Sequence, residues 1–268
     1  MSDFLHFATS CGISVYGISS HAPTPFPNHW AMKFSDVFDY FSEFRRLRDL
    51  YKDKLELYIG MELDFLTIPS LLTETSSPLF SYPLDYRIGS VHYLDPLTNP
   101  DGSSLFWNVG GSVTHYAQAL HELYGDDINR LVRRYNGQIL AMLQSAPIHV
   151  LAHCDLETTI AERHFGFDPS QPWFLDQMHQ IFALARQRDI IVEVNVKHLL
   201  SDGITSPHQR LFSLLKDSEA VIQVNSDAHY PQHVASGLRE AHALLRQYGF
   251  SSQRVLLHGS WTDIPLLS

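Results

Sequence analysis

Short apolar runs recur along the chain at residues 15–21, 57–62, 86–92, 148–153, 190–193 and 221–229, and they end at His21, Glu62, His92, His153, Glu193 and His229. Continuous apolar runs of about four to eight residues are what parallel strands covered on both faces look like. Helical periodicity fills most of the intervals, at residues 35–51, 112–144, 172–188, 207–216 and 235–248. Alternation of this kind predicts right-handed βα units and an α/β fold of the barrel type. Ligands of such folds bind beyond the carboxyl ends of the strands, where the polar endings fall.

The chain opens differently. Ser2 and Asp3 suit helix N-caps, Phe4, Leu5, Phe7 and Ala8 give an apolar face, and Gly12 stops the segment. A barrel of βα units should begin with a strand, so the pattern predicts that the first strand is missing and that its neighbour has a free edge. Residues 254–257 (RVLL) read as a last strand. Proline and turn residues predict loops at 22–29, 69–83 and 95–111.

At 268 residues, without linker, internal repeat or low-complexity tract, residues 1–268 read as a single unit of ordinary α/β-barrel size. Cys11 and Cys154 are too few for a disulfide framework. No apolar stretch reaches the roughly 18 residues of a membrane span, and the start lacks the basic region of a signal peptide. These features predict a cytoplasmic protein with no membrane partner. A net charge of −10 without a basic stripe argues against nucleic acid and for a small-molecule partner.

Sixteen histidines are the outlying number, and position selects among them. His21, Glu62, His92, His153, Asp227 and His229 would converge on one rim, and such N/O donors suit zinc, iron or manganese. Asp227 and His229, two apart in an extended segment, would face the same side. Glu193 reads either as a ligand or as an acceptor that orients a histidine ligand. His115, His121, His179, His208 and His242 fall in helical patterns and are expected on solvated faces, whereas Cys154 is expected to point into the packing. Arg163 and Lys197, just beyond strand ends, are candidate cations for an anionic substrate. Phe26, Trp30, Tyr93 and Trp107 are loop aromatics able to stack on a planar ring.

Five motifs run in order through nearly the whole chain: SSHAP at 19–23, GMELD at 60–64, GSVHYL at 89–94, AHCDL at 152–156 and NSDAHYP at 225–231. Together they resemble the polymerase and histidinol phosphatase (PHP) family, most closely its histidinol-phosphatase branch. The resemblance implies a distorted, TIM-barrel-like fold of about seven strands with up to three divalent metal ions at the strand ends. It implies that Glu62 bridges two metals, one of them also held by His92 and His153. Asp227 would go to the other bridged metal, and His21 and His229 would share a third. The family's opening His-x-His has no counterpart here, and His6, inside the first helix, does not replace it. The absent strand is therefore also an absent pair of ligands, and fewer metals and reduced turnover are expected.

The implied activity is metal-dependent hydrolysis of L-histidinol phosphate to L-histidinol and phosphate, in histidine biosynthesis, with Asp227 and His229 catalytic and Arg163 and Lys197 binding substrate. Clustered divalent ions would hold phosphate oxygens, lower the pKa of a bridging water and stabilise the leaving alkoxide. Two alternatives stand beside it: another phosphoester such as a nucleotide, and a truncated, weakly active metal-binding protein. Metal identity and self-association through a free strand edge are left open.

Overall fold

The computed structural model describes residues 1–66 and 82–267. Its centre is a wholly parallel sheet of β1 (Val15–His21), β2 (Glu56–Asp64), β3 (Tyr86–Ser90), β6 (Val150–Leu151), β7 (Ile191–Asn195) and β8 (Ile222–Asn225), hydrogen-bonded in that order, while β4 (Leu97–Thr98) and β5 (Ser104–Leu105) pair apart from it. Every strand pairs with its predecessor in the parallel series, the winding of a barrel wall. All six expected strands form, although residues 148–153 contribute only two residues to theirs.

The side-chain period of two sets the inside and outside of this wall. Leu57, Ile59, Met61 and Leu63 of β2 pack outward against α1 (Ser2–Ser10) and α2 (Val37–Tyr51). Tyr58 turns inward with Tyr86, Ile88, Val150 and Ile191. Gly60 and Gly17 are needed here, because a Cβ at either position would overlap the Tyr86 ring. The inner face is thus apolar at its floor and polar at the carboxyl end. The outer face of the later strands packs on the largest core, which α4 (Ile128–Ser145) and α6 (Pro172–Gln187) share through Tyr135, Ile139, Phe174 and Phe182.

Several local expectations need correction. Ser2 and Asp3 lie inside α1 and neither caps it; Met1 is the N-cap. The expected continuous helix over 112–144 is two helices, α3 (Val113–Tyr124) and α4. Gly125 ends the first in the left-handed region at φ 64°, and the Asp127 side chain accepts from the Arg130 N–H to begin the second. Residues 254–257 belong to β9 (Ser252–Leu257), which pairs antiparallel with β10 (Ser260–Pro265) and does not join the parallel sheet. This hairpin closes the amino-terminal end of the wall, with Leu256 and Trp261 against the inner cluster. The segment expected at 69–83 lies almost wholly outside the described residues.

β1 and β8 are the outer strands of the sheet and do not pair with each other. Between them lies a cavity of about 1090 Å³, lined among others by Val15, Ile18, Glu62, His153, Val224 and Asp227. Among the described residues no helix is long and apolar enough to cross a membrane.

Candidate metal centre

Glu62 sits on the inner face near the end of β2, level with His21 of β1 in the parallel register. Three imidazoles surround its carboxylate. His153 Nε2 lies 3.0 Å from Oε1, His92 Nε2 3.5 Å from Oε1, and His21 Nδ1 3.3 Å from Oε2. Glu62, His92 and His153 are all buried, while His21 is half-buried. Burial opposes charge on Glu62, but the hydrogen bond from His153 and the fields of His92 and His21 outweigh it and hold the carboxyl well below the usual range. Burial lowers the pKa of His153, yet the Glu62 hydrogen bond and charge win and push it up to about 9. For His21 the desolvation by burial prevails and its pKa falls.

The surrounding residues orient these groups. Asp64, two residues after Glu62 and on the same face, receives both the backbone N–H of His92 and its Nδ1, each at 2.9 Å. A carboxylate oxygen only accepts, so the His92 proton sits on Nδ1 and the Nε2 lone pair faces Glu62. Glu193 is not among the groups facing Glu62. It accepts from the His153 backbone N–H at 3.0 Å, from Asn195 at 3.2 Å and from Asn225 at 3.0 Å, and burial raises its pKa. These are the contacts of a group placed behind the histidine.

The donor set fits a divalent cation. His21, Glu62 and His92 each offer one ligand atom within 4.8 Å of the others. Among the described residues the buried Nδ1 atoms of His21 and His153 make no hydrogen bond, His21 Nδ1 having only its 3.3 Å approach to Glu62, and an unmet buried polar atom is costly. Imidazole and carboxylate together suit zinc, manganese or iron.

Asp227 and His229 lie on the rim beyond β8. The segment is not the extended run expected, since Asp227 has φ 47°. The pair still lies together, with His229 Nδ1 3.0 Å from the Asp227 carbonyl oxygen. Lys197, beyond β7, reaches both, and the His229 ring is 6.0 Å from that of His21. Arg163 is on α5 (Leu156–Phe165), half exposed, with Asp202 as a 3.9 Å partner.

Asp64 is a site residue not among the candidates above, although the Glu-x-Asp spacing on one strand face carries its signal. Trp30 emerges among the four loop aromatics: its ring is 4.4 Å from that of His21 and 5.1 Å from that of His92, and it is 39% exposed. Asn28 holds this loop by donating to the Tyr93 hydroxyl and accepting from the Trp30 backbone. Trp107 is buried in the core, donating to the Asp95 carbonyl, and takes no part. His242, expected on a solvated face, is also buried. Cys154 is buried as expected.

No family model matches the chain. A protein of Schizosaccharomyces pombe named "probable histidinol-phosphatase" is 24% identical over 265 residues, covering 94% of this chain and 82% of its own. A Deinococcus radiodurans protein of the same name is 23% identical over 255 residues, covering 92% and 86%. Together with the five motifs, these matches make the chain similar to the histidinol-phosphatase branch of the PHP family. Its fold is similar to that of HisK from Listeria monocytogenes, with a TM-score of 0.76 at 20% identity over 89% of this chain and 92% of that one. It is also similar to histidinol phosphate phosphatase from Lactococcus lactis, whose structure contains zinc, L-histidinol and phosphate, with a TM-score of 0.72 at 17% identity over 97% and 92%.

Proposed function

We propose that this protein is a metal-dependent phosphatase that hydrolyses L-histidinol phosphate to L-histidinol and phosphate. The observation that carries the reading is the buried carboxylate of Glu62 ringed by His21, His92 and His153 at the carboxyl end of a parallel sheet. The names of the relatives and the ligands of the Lactococcus lactis structure support the substrate.

We assign His21, Glu62, His92 and His153 as ligands, with Asp227 and His229 completing the set from the rim. A divalent cation held there would supply positive charge for phosphate oxygens and a water of lowered pKa. Lys197 and Arg163 bring further cationic charge to the phosphate. Asp227 accepts the proton of the attacking water, and the departing alkoxide takes a proton from a water as the phosphorus–oxygen bond breaks, with His229 beside it. The indole of Trp30 offers a face to the imidazole end of the substrate.

We further propose that residues 1–268 act as a single catalytic domain in the cytoplasm, with small phosphorylated molecules as partners. A seventh strand would fit the slot between β1 and β8, and the fold would then be the seven-stranded barrel. The test is steady-state hydrolysis of L-histidinol phosphate beside a nucleotide panel, with metal analysis of the same samples. Preference for histidinol phosphate, lost with chelator and regained with zinc or manganese, is expected. Preference for a nucleotide would replace the substrate and keep the metal centre.

A further inference from the structure

The loop that follows β1 leaves and rejoins the wall at one point. The Ala22 N–H donates to the Glu62 carbonyl at 2.8 Å, and the His21 carbonyl accepts from the Met32 N–H at 3.1 Å. Residues 22–31 therefore form a compact loop with closed ends, of the kind packed by its own side chains. Pro23, Pro25 and Pro27 fix φ at three positions and cut the freedom that ordering the loop would cost. Both ends are rooted in the outer core of β2, where Ala22 is buried and Met32 packs against the same cluster.

One side chain ties the tip of this loop to the segment beyond β3. Asn28 Oδ1 accepts from the Trp30 N–H at 2.9 Å and from the Ala31 N–H at 3.3 Å. Backbone N–H groups only donate, so the other half of the carboxamide is its NH2, and this donates to the Tyr93 hydroxyl at 2.7 Å. Tyr93 is itself buried and fixed: its carbonyl accepts from Gln138 at 2.9 Å and its backbone bridges to Asn108. Around the tie, Phe26 stacks on Phe106 with centroids 3.9 Å apart, and the Trp30 ring lies parallel to that of Tyr93 at 5.9 Å. Asn28 thus grips the backbone of Trp30 with one end and the ring beside which Trp30 lies with the other.

We infer that Asn28 is a positioning residue for substrate, setting the Trp30 indole so that the site favours phosphomonoesters that carry a planar ring. This rests on the L-histidinol phosphate reading above and names the device that selects the ring. Trp30 is 39% exposed, so an untethered indole would sample several rotamers and give them up when a ligand ring packed on it. An indole held in advance loses less on binding, and the gain appears in KM. None of the hydrogen bonds of Asn28 goes to Glu62 or to the histidines around it, so its loss should spare the phosphate end.

Steady-state kinetics with L-histidinol phosphate, together with inhibition by inorganic phosphate, read the two ends of the substrate separately. Asn28→Ala is expected to raise KM about threefold, with kcat within about twofold and the phosphate inhibition constant unchanged, the signature of lost uniform binding. Tyr93→Phe, which removes only the oxygen that Asn28 reaches, should raise KM in the same sense, and far-UV circular dichroism checks both folds. Placed on Trp30→Ala, Asn28→Ala should add nothing, because the ring it sets is gone. A rise in KM that persists in the Trp30→Ala background, a parallel rise in the phosphate constant, or an unchanged KM in either folded variant would overturn the positioning role and leave the substrate assignment intact. Absence of L-histidinol phosphate turnover by the unmodified protein supplied with zinc or manganese would overturn that assignment and the inference with it.

Discussion

The two sides of the site are built on opposite principles. On the β2, β3 and β6 side, Glu62, His92 and His153 are buried, and Asp64 and Glu193 fix the histidines from behind. On the β1 and β8 side, His21 is half-buried, Lys197 is partly exposed and His229 more so, and turns carry the groups beyond the sheet. The strands themselves differ in the same sense: β2 is buried along nearly its whole length, whereas β1 is half-exposed throughout. A rigid, desolvated half suits the holding of a cation, because donors locked in place lose little freedom on binding and act in a low dielectric. An accessible half suits exchange of substrate and product. Removing a group should therefore cost most on the buried side.

The largest effect is expected at the centre of the buried half. Glu62→Gln keeps the shape and removes the charge on which three imidazoles converge. Metal content measured by elemental analysis should fall sharply, and kcat/KM should drop by about 1,000-fold, some 4 kcal/mol of transition-state stabilisation. Retention of both would show that the carboxylate is not the hub. Asp64→Asn comes next, since it alters only the orienting of His92. A loss of about 10- to 100-fold in metal affinity is expected, with folding unchanged by circular dichroism.

Smaller effects belong to the rim. Trp30→Ala should raise KM for L-histidinol phosphate about fivefold with kcat within about twofold, as expected for loss of roughly 1 kcal/mol of ring contact. A smaller phosphomonoester without the imidazole should be indifferent to the change, and equal sensitivity of the two substrates would remove the stacking role.

A separate test, read in stability and not in activity, probes the buried side through pH. Glu157 is buried behind the His153 turn and receives a hydrogen bond from the Tyr116 hydroxyl at 2.8 Å, and burial raises its pKa to about 8. The folded protein therefore keeps a proton that the unfolded chain releases near pH 4.5. Its stabilising contribution is whole below that pH and is lost as pH rises to about 8, at no more than about 1.4 kcal/mol per pH unit. Denaturant unfolding of Glu157→Gln should show a flatter profile across this window. An unchanged slope would mean that Glu157 ionises normally.

Much of the wall was legible beforehand because a strand covered on both faces must be apolar along its length, and the runs at 57–62 and 190–193 say so locally. The break in the 112–144 helix was legible too, in Gly125 followed by Asp127, but strong apolar periodicity on both sides masked it. The pairing of residues 252–257 was not legible. A short β-rich run does not reveal whether it joins the parallel sheet or folds back on its own hairpin, since that depends on partners distant in the chain. Asp64 was hidden for a different reason: its role depends on where His92 arrives, 28 residues later.

By itself the chain's order of residues determined the strand–helix alternation, the end of the sheet at which chemistry gathers and the acidic and imidazole donors available there. These follow from short-range periodicity and from the chemistry of side chains. Only the tertiary structure decided that three histidines share one carboxylate, that Glu193 accepts from the His153 backbone, and that Lys197 lies between Asp227 and His229. Those are distances between residues far apart in sequence, fixed by sheet register and loop closure, and no local pattern encodes them.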